Sequence, residues 1–312
     1  MNNFAGDIRY DQAAGLRKMV GKSFESPKPF DKEPEYELQS SEEKIKNTKI
    51  ITITSGKGGV GKTSMSVNLG LALASQNKKV LLFDADLGLA NINVVLGVVP
   101  KYNLYHVIKG HKKLKDIIIQ TPEGLDIIAG ASGYSSLANL SEKERNKIVV
   151  EVDQLKEYDY LLIDTGAGVS SNVIGFTLPA DEILVITTPE PTSITDAYGI
   201  IKSIVLEASD KCIKLLVNRA ATSLEGRKVA ERVVNISNQF LNVKVENCGF
   251  IYDDEMVPKS IRKQKPFYSL YPKSKASSCL NVIAARLMGD KNGFDKKNVG
   301  IGAFFRKILK TN

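Results

Sequence analysis

Eight consecutive residues, Gly56-Lys57-Gly58-Gly59-Val60-Gly61-Lys62-Thr63, match G-x-x-x-x-G-K-[ST] at every fixed position. A second lysine, Lys57, lies inside the loop. The chemistry open to this set is a grip on a triphosphate. Glycines carry no Cβ, so the backbone turns tightly and its N–H groups converge on phosphate oxygens. The helix expected to open near Gly61 adds its N-terminal dipole. Lys62 reaches toward the β- and γ-phosphates, the Thr63 hydroxyl offers a ligand to Mg²⁺, and Ser64 completes the ATP-binding stretch. The surroundings separate this loop from a chance glycine-rich turn. The β-branched run Ile50 to Thr54 precedes it, and a helical stretch with Val67, Leu69, Leu71, Ala72 and Leu73 follows.

Carboxylates follow at two further strand ends. Val80-Leu81-Leu82-Phe83 runs into Asp84-Ala85-Asp86, and Tyr160-Leu161-Leu162-Ile163 runs into Asp164. Ligands of open parallel sheets sit beyond the carboxyl ends of the strands, which brings these acids toward the loop. Asp164 suits an Mg²⁺-holding role through water. Of Asp84 and Asp86, one would support the metal and the other orient the attacking water, while either could instead cap a helix or turn. A third strand end, Asn218-Arg219, offers a side-chain amide that pairs with an adenine edge, or else makes a turn.

Lys57-Gly58-Gly59-Val60-Gly61-Lys62-Thr63 resembles the deviant Walker A motif of the MinD/ParA ATPases, and Asp84 to Asn91 resembles the segment that follows it there. The resemblance spans about Lys49 to Gly289. It implies an ATP-dependent homodimer in which Lys57 crosses to the partner's phosphates as a catalytic cation. It also implies that Lys62 and Asp86 act in hydrolysis, that Asp84 and Asp164 support Mg²⁺ with Thr63, and that Asn218 sits at the base. Thr187 to Tyr198 and Asp164-Thr165-Gly166-Ala167-Gly168 resemble the flagellar-number regulators of the FlhG type (FleN, YlxH) more than cell-division MinD, where a proline takes the place of Gly166.

The elements needed to position these residues are those of a doubly wound, mainly parallel α/β sheet, a P-loop NTPase with helices on both faces. Strands are expected at 49–54, 80–84, 125–129, 158–164, 182–187, 212–218 and 246–252. Helices are expected at 62–76, 142–156, 193–208, 225–240 and 275–288. The 312 residues are expected to divide into an N-terminal motif and linker (1–48), the ATPase domain (49–289), and a linker with a C-terminal helix (290–312).

Composition narrows the function classes. Hydrophobic residues make up 43%, ample for a core, yet no run approaches the length of a membrane span. The polar N-terminus predicts no secretory leader. The three cysteines, Cys212, Cys248 and Cys279, lack metal or cluster spacing and suit a reducing cytoplasm. The net charge of +8 is uneven, with 13 Lys and Arg against 2 Asp from Met256 onward. Such an end points to an anionic partner.

Both termini carry expectations of their own. Asp11-Gln12-Ala13-Ala14-Gly15-Leu16-Arg17 reads as a short amphipathic turn or an unstructured tail. By the FlhG resemblance it is a partner motif, with Asp11, Gln12, Ala13, Leu16 and Arg17 engaging an FlhF-like GTPase. At the other end, Ile301, Phe304, Phe305, Ile308 and Leu309 fall on one helical face, with Arg306, Lys307 and Lys310 opposite. That face suits an anionic membrane surface, or else the domain's own core. Together these features predict a cytoplasmic ATPase that is peripheral on the inner membrane when ATP-bound. It would control flagellar number or placement, with flagellar switch components as further partners and no specific nucleic acid. The alternatives are a ParA-like DNA-partitioning ATPase and a MinD-like division-site regulator. An iron–sulfur carrier of the same fold would need paired cysteines, and a ligase a second substrate site.

Overall fold

In the computed structural model, residues 48–86, 91–130, 142–289 and 300–310 are described. The run Lys-Ile-Ile-Thr-Ile-Thr-Ser becomes β1 (Lys49–Ser55), buried at every position because helices cover both of its faces. Seven further strands join it: β2 (Val80–Ala85), β3 (Ile118–Gln120), β4 (Leu125–Ile128), β5 (Tyr160–Ala167), β6 (Glu182–Thr187), β7 (Cys212–Ala220) and β8 (Val245–Tyr252). The order across the sheet is β3-β4-β2-β5-β1-β6-β7-β8. Every neighbouring pair is parallel except β3 with β4, which pair antiparallel at one edge. The doubly wound reading of the sequence therefore holds.

One face is covered by α1 (Lys62–Ala74), which leaves the loop after β1, and by α10 (Lys275–Gly289). Helix α1 is buried from Ser64 to Leu73 and depends on small residues for its fit. A Cβ at Gly70 would lie 2.8 Å from Leu125 Cδ1. Short helices α2 (Ile92–Leu96), α8 (Met256–Arg262) and α9 (Phe267–Leu270) border α1 and α10. The opposite face carries α3 (Leu104–Ile108), a 3-10 turn (Leu114–Ile117), α4 (Glu142–Val152), α5 (Ser171–Thr177), α6 (Pro191–Glu207) and α7 (Ser223–Leu241). Helix α6 begins with Pro191 at its first turn, where a missing N–H is harmless.

The C-terminal helix forms where expected, as α11 (Ile301–Lys310), but its surroundings differ from a free membrane anchor. Ile301, Phe304, Phe305, Ile308 and Leu309 are all buried, against Leu81, Phe83, Val152, Leu155 and Leu161. The Phe305 ring meets Phe83 edge-on with centroids 5.7 Å apart. Two details make the docking specific. Arg306 Nη1 donates to Asp153 Oδ2 at 2.6 Å, and a Cβ at Gly302 would run into the Asp153 carboxylate. The expected boundary at residue 290 thus does not separate α11 from the ATPase domain, because the apolar face assigned to a bilayer is satisfied by the domain's own core.

Two expectations about the sheet also change. Strand β5 runs past Asp164 to Ala167, and Ser55 pairs with Ala167 beyond an irregularity in β1. Strand β3 was not expected, because its Ile118-Ile119 continues the apolar run of the 3-10 turn. Thr121 to Gly124 then reverse the chain, with Gly124 at φ 83° and Leu125 N–H donating to Thr121 Oγ1 at 3.1 Å. At the opposite end of the sheet from the loop, Glu182 Oε1 sits 2.6 Å from Lys49 Nζ and 3.1 Å from Lys214 Nζ. This buried trio ties β1, β6 and β7 together, and Lys49 also donates to the carbonyl of Leu287 on α10.

Candidate functional site: a nucleotide pocket at the strand ends

The loop that leaves β1 turns through left-handed residues at Gly59 (φ 78°) and Gly61 (φ 91°), conformations that a side chain would strain. Gly61 is the N-cap of α1 and has no side-chain cap, so the first N–H groups of the helix are left to a ligand. Crowding explains two glycines. A Cβ at Gly56 would collide with the backbone carbonyl of Asp196 on α6, and one at Gly61 would lie 2.6 Å from Asn218 Nδ2. Val60 and Lys62 are buried, and Gly58 and Gly59 are exposed.

Asp84 and Asp164 stand opposite each other in the β2–β5 register, each 1% exposed. Asp164 Oδ1 accepts from Ser66 Oγ at 2.8 Å, and its Oδ2 has no hydrogen-bond partner among the described residues. Burial pushes the Asp164 pKa up, against the pull of Lys62, Thr63 and Ser66. Burial, and next the Asp164 charge, push Asp84 up to about 7. Two buried carboxylates side by side cannot both ionise comfortably without a cation. An orphaned carboxylate oxygen beside Thr63 and Lys62 therefore fits Mg²⁺, a hard cation that takes oxygen ligands and keeps several waters.

Asp84 has a duty that the sequence reading weighed but did not choose. Its Oδ1 accepts the Asp86 N–H at 3.2 Å, and its Oδ2 accepts the N–H groups of Asn91 and Ile92 at 3.0 and 3.2 Å. The carboxylate thereby caps the start of α2, so any support it gives the metal is shared with the backbone of this turn. Asp86 is half-buried near Gly166 at the end of β5, and its charge adds to the upward push on both neighbours.

Asn218, expected at the base, also makes contacts within the chain. It is 4% exposed, its Nδ2 donates to the Val60 carbonyl at 2.7 Å, and its Oδ1 accepts the Arg219 N–H at 2.9 Å. Through these two bonds Asn218 braces the loop, and its second N–H and second oxygen lone pair remain for a ligand. Arg219 follows in the left-handed region at φ 57°. Both line a cavity of about 310 Å³ beside Gly61 and Ser64, of a size for a nucleoside. Its far wall, Tyr252, Asp253, Val257, Pro258 and Ile261, was missed by the sequence reading. The available signal was the acidic turn Asp253-Asp254 directly after β8. Asp254 Oδ1 accepts from the Met256 N–H and Oδ2 from the Ala276 N–H, which fixes α8 over the cavity.

Lys57 turns toward the start of α6. Its Nζ donates to Glu190 Oε2 and Thr192 Oγ1, each at 2.8 Å. Both partners lie at the start of α6, in the segment Thr187 to Tyr198 that the sequence singled out for its spelling alone. The Lys57 ammonium holds the Glu190 carboxyl below its usual range. The motif residues Asp11, Gln12, Ala13, Leu16 and Arg17, and all of 1–47, lie outside the described residues. Among the described residues no helix is long and apolar enough to cross a membrane.

With this geometry in view, the AAA domain family matches residues 48–215. The chain is 39% identical over 239 residues to the antiactivator FleN of Pseudomonas aeruginosa, covering 76% of this chain and 85% of that protein. It is 36% identical over 268 residues to the flagellum site-determining protein YlxH of Helicobacter pylori, covering 85% and 90%. Among solved structures, MinD of the Aquifex aeolicus MinC:MinD complex superposes with a TM-score of 0.64 at 30% identity, over 78% of this chain and 97% of that one. The Pyrococcus horikoshii MinD complexed with Mg-ADP gives a TM-score of 0.64 at 29% identity, over 78% and 96%. The chain belongs to the MinD/ParA family of P-loop ATPases. It is a nucleotide-binding enzyme that hydrolyses ATP.

Two outcomes test the site. A carboxyl whose folded pKa is raised makes the folded state hold a proton that the unfolded state releases, so stability falls as pH rises from about 4 to about 7. The melting temperature of the metal-free protein should drop across that window, and Asp84→Asn should flatten the drop. An equally steep drop in the variant would remove Asp84 from this role. Lys57→Ala should keep ATP affinity within a few fold while turnover falls by roughly a thousandfold, the range for a cation supplied to phosphoryl transfer. Binding by fluorescent nucleotide titration and phosphate release read the two effects separately.

Proposed function

We propose that this chain is an ATP-gated dimeric switch that sets flagellar number or placement. On this reading it associates with an anionic membrane through α11 and stimulates an FlhF-like GTPase through Asp11 to Arg17. The flagellar part of the reading rests on similarity to FleN and YlxH over most of the chain. The observation that carries the switch is the storage of two effector groups on the chain itself. Lys57 is held by Glu190 and Thr192, and the apolar face of α11 is held by the core.

Each residue then has a task. The loop N–H groups, Lys62 and the base cavity bind ATP, and Thr63 and Asp164, with Asp84 behind them, would hold Mg²⁺. Bound Mg²⁺ supplies charge neutralisation at the phosphates. Asp86 orients the attacking water. Lys57 leaves Glu190 for the nucleotide of a second copy, so hydrolysis requires the dimer. Glu190 is exposed, and solvent screens an ion pair of this kind, so the exchange is easy. Dimerisation frees α11, and two weak helices on one dimer attach far better than one through effective concentration.

Two experiments test the reading. Phe304 and Phe305 are core residues, so the cleaner variant is Asp153→Lys, which sets a cation against Arg306 and should raise liposome co-sedimentation in the absence of ATP severalfold. Pelleting that stays at the unaltered level, with ATP and without it, would count against α11 as a stored membrane anchor. For the partner, residues 1–25 should raise FlhF GTPase turnover, and a chain without them should not. Equal stimulation by both would sink the N-terminal motif.

A further inference from the structure

The segment Lys101 to Lys115 carries five lysines, two tyrosines and two histidines; Asp116 follows it in the 3-10 turn, and Lys109 pairs with Glu144 at 3.1 Å, so the unbalanced charge lies mainly on the other four lysines. The segment forms α3 and the 3-10 turn. Leu104, Val107, Ile108 and Leu114 anchor it in the core, which leaves its polar residues at the surface. Lys101, Tyr105, Lys109, His111, Lys113 and Lys115 are exposed, and Tyr102, His106 and Lys112 are half-buried. Lys112 Nζ lies 4.4 Å from the Tyr102 ring centroid and Lys101 Nζ 5.5 Å, while Lys109 Nζ lies 5.9 Å from that of Tyr105. The segment packs over the same apolar cluster as α11, the one built on Leu81, Phe83 and Leu161. The patch and the stored helix therefore share one face of the sheet, and the patch is open while α11 is docked.

We infer that this Lys/Tyr patch is a second contact for the anionic lipid surface, engaged beside α11 and before its release. The inference rests on the membrane reading above and adds to it a surface that the ATPase domain carries independently of the helix. Ammonium groups held over tyrosine rings at a half-buried surface combine the cationic and aromatic side chains that favour the border between apolar and charged layers of a bilayer. A cluster of lysines beside a membrane-binding helix is attracted to anionic headgroups over about a Debye length. A nucleic-acid reader would offer open ring faces to bases or a helix able to enter a groove. Here the rings are approached by ammonium groups and by His106, whose ring centroid lies 5.2 Å from that of Tyr102, and α3 is five residues long.

The test uses the full chain with Mg·ATP and vesicles of phosphatidylcholine with or without phosphatidylglycerol. The triple variant Lys112→Gln, Lys113→Gln, Lys115→Gln should weaken partition onto the anionic vesicles by roughly 100-fold, reduce its salt dependence, and leave neutral vesicles and ATP turnover unchanged. The corresponding Lys→Arg variant keeps the charge and should keep the binding. Unchanged partition of the Gln variant overturns the patch and leaves the α11 reading standing. Failure of both the unaltered chain and Asp153→Lys to bind any vesicle overturns the membrane reading and the patch with it. Patch-dependent binding to duplex DNA without vesicle binding assigns the surface to nucleic acid and overturns the inference.

Discussion

Two carboxylates held side by side away from water set the terms for everything around them. Asp84 and Asp164 occupy matched positions on β2 and β5, and each alone would resist ionising there. Lys62 offsets part of the charge, and the rest calls for a cation. The same Asp84 carboxylate holds the Asp86 N–H just after β2 and two backbone N–H groups at the entrance to α2. Charge at the site and the path of the chain after β2 are therefore coupled through one side chain. The loop is likewise coupled to the base cavity, since Asn218 grips Val60 while lining that cavity.

Much of this could be read from local spelling. The P-loop, the parallel sheet and the acidic strand ends each rest on residues within one turn or strand, where spacing carries the information. What was missed depends on contacts across the chain. Glu190 lies 133 residues from Lys57, and Asn218 lies 158 from Val60. No pattern within either segment shows that they meet. The C-terminal helix illustrates a different gap. Its amphipathic face was plain, but an apolar face fits a bilayer or a protein core on the same physical grounds, and only the docked structure displays Phe83 and Asp153 as its partners. Strand β3 was hidden because three residues at a sheet edge hardly differ from the apolar turn before them.

The two stored groups are held with very different strength. The Lys57 contacts are partly exposed and screened by solvent, so on the proposed reading little opposes their exchange for phosphate oxygens. The face of α11 buries five apolar side chains, each worth roughly 1.5–3 kcal/mol when fully removed from water. Undocking into water would therefore be prohibitive, whereas transfer to a bilayer keeps those side chains dry. The penalty that remains is the groove left behind, lined by Leu104, Leu114, Val152 and Leu155. On the proposed reading, the destination surface has to be close at hand before the helix lets go.

Gly289 closes α10 and Gly300 precedes α11, so eleven Cα-to-Cα steps join the two helices. Fully extended, they span about 40 Å at most. On the proposed reading, an undocked α11 would have to land within that distance of the end of α10. On that reading, lengthening this connection would loosen the link between where the ATPase sits and where α11 lands, without altering a single residue of either.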